Sequence, residues 1–195
     1  AVVYALFLRG TANGFAYLPI MLLAAVASVS TVFSFFHCAC YRKFMGCTNG
    51  MMVGMTMGMV PGLMAGAILG ATNGMFVGSV TGMLFGMGLG YKLGKCCGVM
   101  GAMEGLMAGL MAGTMGAMLS VMMLRDNLMA FLFLLFASGA VILFGLSYML
   151  YREQGAAPAQ GWSANFPKFF FYALLLFILF MSMAFLGPKS TLVYP

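Results

Sequence analysis

Sulfur is the element with a pattern in this chain. Met103, Met107, Met111 and Met115 stand at a strict spacing of four; Met51, Met55 and Met59 show the same spacing earlier. Residues four apart lie one turn above each other on an α-helix, so each set forms a column of thioethers along one face. Thioether sulfur is a soft ligand that favours Cu(I) over hard cations. A ladder of weak sites also suits passage, because an ion must bind well enough to enter and loosely enough to leave. The same residues also read as packing, since methionine is flexible and fills the irregular gaps left opposite glycine.

Thiols add a second group. His37, Cys38, Cys40, Cys47, Cys96 and Cys97 include every cysteine and the only histidine, and all fall at the ends of apolar runs. Thiolates with one imidazole are a ligand set for Cu(I) or Zn(II). Read one at a time, the cysteines are small hydrophobes. Glu104 is the only acid well inside an apolar run. An acid at that depth marks an ion path, or it pairs with Lys92 or Lys95 nearby. Asp126 and Glu153 each adjoin an arginine and read as solvated loop charges.

Nothing else in the chain resembles a catalytic apparatus. One histidine and three scattered acids make no acid–base pair or triad, and no phosphate loop or nucleophile elbow is present. The chain reads as a non-enzyme.

The elements that carry these residues follow from composition. Of 195 residues 64% are hydrophobic and 6% charged, with a mean hydropathy of +1.06. So few charges cannot solvate a globular surface, whereas they suit one facing lipid. The net charge of +6 is scattered between apolar runs, which excludes a nucleic-acid footprint and fits the positive bias of cytoplasmic loops.

A bilayer crossing takes about 20 apolar residues. Six such runs are read at about 14–37, 49–70, 74–91, 99–124, 128–150 and 169–186, forming one all-α integral membrane domain over 1–195. The stretch from Thr48 to Tyr91 holds no charge and is twice too long for one crossing. It must fold back, and Ala71-Thr72-Asn73-Gly74 is the turn-forming break near its middle. Basic residues then place loops 39–48, 92–98 and 151–168 in the cytoplasm, where thiols stay reduced.

Glycine supplies the packing surface. Fourteen glycines recur every fourth residue from Gly46 to Gly98, and a second register runs Gly101, Gly105, Gly109, Gly113. Glycine spaced in this way lets helices approach closely in a bilayer. Gly54, Gly58, Gly62, Gly66, Gly78, Gly82, Gly86, Gly105, Gly109 and Gly113 are the expected contact points of a glycine-zipper bundle. Runs two to four would form its centre, with runs one, five and six around it.

The pairing of Met103, Met107, Met111 and Met115 with Gly105, Gly109 and Gly113 is similar to that in the high-affinity copper-uptake transporters. That resemblance implies a trimer with a methionine-lined pore and a cytoplasmic Cys/His exit. This chain departs from the pattern in its six runs and in carrying both motifs on one helix. Two functions remain open: a membrane protein that binds or moves a soft metal such as Cu(I), or a non-catalytic subunit whose glycines dock it against copies of itself or a larger membrane complex.

Overall fold

A computed structural model describes residues 18–41, 46–123, 127–154 and 160–186. Its helices are α1 (Leu18–Tyr41), α2 (Cys47–Asn73), α3 (Met75–Gly94), α4 (Gly98–Met122), α5 (Leu128–Gln154) and α6 (Gln160–Leu186). A 3-10 turn at Lys95–Cys97 joins α3 to α4, and no strand occurs among the described residues. Four stretches are long and apolar enough to cross a membrane: Pro19–Ala39, Cys47–Asn73, Met75–Met122 and Leu128–Arg152. The third takes in both α3 and α4; α6 contributes a shorter apolar stretch, Phe169–Ala184. Hydroxyls inside the helices bond back to carbonyls one turn earlier, as Thr31 does to Ala27 and Ser147 to Leu143. Hydroxyls bonded in this way are satisfied without water.

The expected break at 71–74 is narrower than four residues. Thr72 bonds back to the Ile68 carbonyl, so α2 continues to Asn73 and only Gly74 leaves the helix. Gly74 has φ 93° and ψ 170°, and Gly98, which opens α4, has φ 75° and ψ −157°. That region of the backbone map is essentially open to glycine alone. The turn is also buried: the Asn73 side-chain amide donates to the backbone carbonyl of Met183 in α6. Chain reversal here is a packed feature.

The three central helices touch backbone to backbone. A Cβ built on Gly54 would lie 2.9 Å from the Gly94 Cα, one on Gly82 2.8 Å from the Gly66 Cα, and one on Gly86 2.9 Å from the Gly109 Cα. A Cβ on Gly58 would lie 2.7 Å from the Gly105 carbonyl oxygen. The pairs step in multiples of four: on α2 against α3 they are Gly54/Gly94, Gly62/Gly86, Gly66/Gly82 and Gly70/Gly78. On α3 against α4 they are Gly94/Gly101, Gly90/Gly105 and Gly86/Gly109. Thus α3 runs antiparallel to both neighbours, and α2 and α4 run parallel. From Gly54 to Gly70 the contacts extend about 24 Å at 1.5 Å per residue, most of a hydrocarbon core about 30 Å thick.

The change of glycine register now has a place. Gly98 to Gly101 is a step of three in a series of fours, and it falls at the α3–α4 turn.

The outer helices do not surround this centre. They pack on α2 and on each other; α3 meets them through Leu93 and through Phe85 on Phe180, and α4 has only slight contact with them. Leu23, Ala24 and Ala27 of α1, Met64, Ala67 and Ile68 of α2, Leu132 and Phe136 of α5 and Met181 of α6 form one buried cluster. Bulky side chains fill that layer, and the α2–α4 layer is made of backbone. The expectation of a ring around runs two to four is therefore corrected to a one-sided arrangement that leaves α4 bare on its outer face.

Candidate functional site

The thiols converge at one end of the glycine contacts. Cys47 opens α2, and Cys96 and Cys97 sit in the α3–α4 turn. The Cys97 thiol lies 3.0 Å from the Cys47 carbonyl oxygen and 4.0 Å from the Cys96 Sγ. Cys96 donates to the Leu93 carbonyl at 2.8 Å. A Cβ on Gly50 would meet the sulfurs of both Cys96 and Cys97, so the thiol pair closes the layer next below Gly54. Cys38 is fully buried among Val53, Met57 and Leu93, and His37 stacks its ring on Phe33 with centroids 6.1 Å apart.

Cys38, Cys47, Cys96 and Cys97 are free thiols; the side chain of Cys40 lies outside the described residues. Among the described residues, no group of three or more His, Cys, Asp or Glu side chains is placed to hold a metal ion. The structure thus brings Cys47, Cys96 and Cys97 together and sends His37 and Cys38 into apolar packing.

The methionine columns point away from the glycine contacts. On α4, Gly101, Ala102, Gly105, Ala108, Gly109, Ala112, Gly113, Gly116 and Ala117 are buried, whereas Met103, Met107, Met111 and Met115 are 54%, 64%, 55% and 54% exposed. Met55 and Met59 of α2 are exposed as well, and Met51 is half-buried. The reason is steric. Helices in backbone contact leave no room for a thioether between them, so the large residue of each four-residue unit is forced to the far face. No methionine-lined passage runs between α2, α3 and α4. The gap-filling role goes instead to Met57 and Met64, both fully buried against α1 and α5.

Met100, Met118 and Met122 are also exposed and prolong the α4 column at steps of three and four. Steps of four alone do not find them; helical spacing that admits i+3 does. From Met100 to Met122 the stripe is about 33 Å long at 1.5 Å per residue. The outward faces of α5 and α6 look different. They show Leu134, Val141, Ile142 and Phe144, and Phe170, Phe171, Leu174 and Ile178.

Glu104 is half-buried on α4. Lys95, one of its two expected partners, instead holds its ammonium 5.9 Å from the Tyr91 ring centroid.

No protein family, curated protein or solved structure matches this chain.

Proposed function

We propose that the chain is a multi-pass membrane protein that serves as a non-catalytic assembly subunit. In this reading α1 to α6 make six crossings, the α2–α4 layer is a glycine zipper, and the thiol turn faces the cytoplasm. The working surface is the methionine face of α4, which packs against α4 of a second copy. One observation supports this above others: within one protein, α5 and α6 present mainly Phe, Tyr, Leu, Ile and Val outward, and α4 presents mainly methionine. A surface meant only for lipid has no need of that difference. Flexible thioethers conform to an irregular partner, and the same face on a second copy meets it across a two-fold axis.

The glycines do not serve as the docking surface. Gly105, Gly109 and Gly113 are occupied by Gly90, Gly86 and Met83 of the same chain. They fix the scaffold, and the methionines meet the neighbour.

Soft-metal binding is the second reading, favoured by the meeting of Cys47, Cys96 and Cys97 at the start of α2 and just before α4. Two facing methionine stripes would double the sulfur available to Cu(I) and lead it toward those thiols. The test separates the two. Met→Leu at 103, 107, 111 and 115 preserves volume and removes sulfur; Met107→Trp with Met111→Trp keeps the face apolar and spoils its fit. In an assembly subunit, native mass spectrometry finds the Trp variant monomeric and the Leu variant still oligomeric. If the metal reading holds, the Leu variant loses bound Cu(I). An oligomer untouched by the tryptophans ends the first reading.

A further inference from the structure

A cavity of about 400 Å³ opens between α1, α3 and α6, away from α4. Phe36, Lys92 and Tyr172 lie at one end of it, and Thr31, Phe85 and Leu179 lie at the other. Seven residues separate Lys92 from Phe85, so the groove is about 10 Å deep along the helix axis. Its inner end offers nothing polar, because the Thr31 hydroxyl is already bonded to the Ala27 carbonyl. Among the described residues its outer end carries one cation, Lys92, in the last turn of α3, and no acid is among the lining residues. Tyr172 stands beside it, its ring 5.8 Å from that of Phe36.

An apolar groove at membrane depth is filled by hydrocarbon, since water finds no partners there. We propose that this groove binds one acidic phospholipid, with an acyl chain between Phe85 and Leu179 and the anionic headgroup at Lys92. A lysine at the level of the headgroups, with an aromatic ring at the same height, is the usual anchor for such a molecule. The proposal rests on membrane embedding alone and is independent of what α4 contacts.

The test uses the purified full chain, offered equal amounts of phosphatidylglycerol and phosphatidylcholine with identical acyl chains and weighed by native mass spectrometry. Wild type retains one phosphatidylglycerol in preference to phosphatidylcholine. Lys92→Gln lowers that preference about fivefold, the factor for one basic residue near an anionic surface. Lys95→Gln changes nothing, because Lys95 lies over Tyr91 outside the groove. Leu175→Trp fills the groove and lowers retention of both lipids. Wild type without preference, or Lys92→Gln with the wild-type ratio, overturns the proposal. Lys92 is exposed, so its variant reports on binding even if Leu175→Trp fails to fold.

Discussion

Gly66 and Gly113 stand with their backbones in contact across α2 and α4: a Cβ on Gly66 would lie 2.5 Å from the Gly113 carbonyl oxygen. Backbone cannot move aside as a side-chain tip can. Gly66→Ala should therefore push two helices apart and cost about 1–3 kcal/mol, the range for overpacking a well-filled interior. Gly88 is the control. It lies on α3 with nothing within 4 Å of an added Cβ, and Gly88→Ala should add about 0.5–1 kcal/mol through helix propensity alone. Unfolding midpoints in detergent, followed by circular dichroism, check the opposite signs.

The two turn glycines should fail for a different reason. Gly98 has open space around it, so size is not the obstacle; its backbone conformation is. Gly98→Ala should cost about 1–3 kcal/mol, as expected for a residue forced into a region that glycine alone occupies. A loss no larger than that of a surface alanine would show that the turn relaxes freely.

Much of this scaffold is legible in the sequence. Four-residue glycine spacing located the helices that touch, and Ala71-Thr72-Asn73-Gly74 located the reversal, since few other residues there leave a helix. What spacing alone does not reveal is direction around the axis. The Gly-Met unit places both residue types on the same helix, and only the closeness of the Gly86/Gly109 and Gly58/Gly105 contacts shows that the thioether must face outward. Spacing groups Cys38 and His37 with the other thiols because all stand at the ends of apolar runs. Folding instead buries Cys38 in an apolar cluster, because α1 packs on the side of α2 that carries Val53 and Met57. The lipid groove was invisible for a related reason: Lys92 and Tyr172 are eighty residues apart, and neither sits in a repeat.

Thiol reactivity should follow the packing. Cys47 is exposed and should react with a maleimide first; Cys96 and Cys97 are partly covered and should follow. Cys38 is 0% exposed and should react only after denaturation. Peptide mass spectrometry over a time course gives the order. Early labelling of Cys38 would mean that α1 does not seat on α2 as described.

Asn73 ties the α2–α3 turn to α6 through Met183. Asn73→Ala removes that bond and should cost about 1 kcal/mol, the net value of one such hydrogen bond. The effect should be local, with faster hydrogen exchange near Met183 and unchanged exchange in α4. Equal acceleration in both helices would point to global loosening.

The methionine face of α4 is tested most directly by cross-linking in native membranes. All five cysteines are replaced by serine, and a single cysteine is placed at Met107→Cys on α4 or, separately, at Leu134→Cys on α5. A short thiol cross-linker should join two copies through position 107 and leave position 134 monomeric. Dimers in equal yield from both positions, or from neither, would contradict a contact between α4 faces.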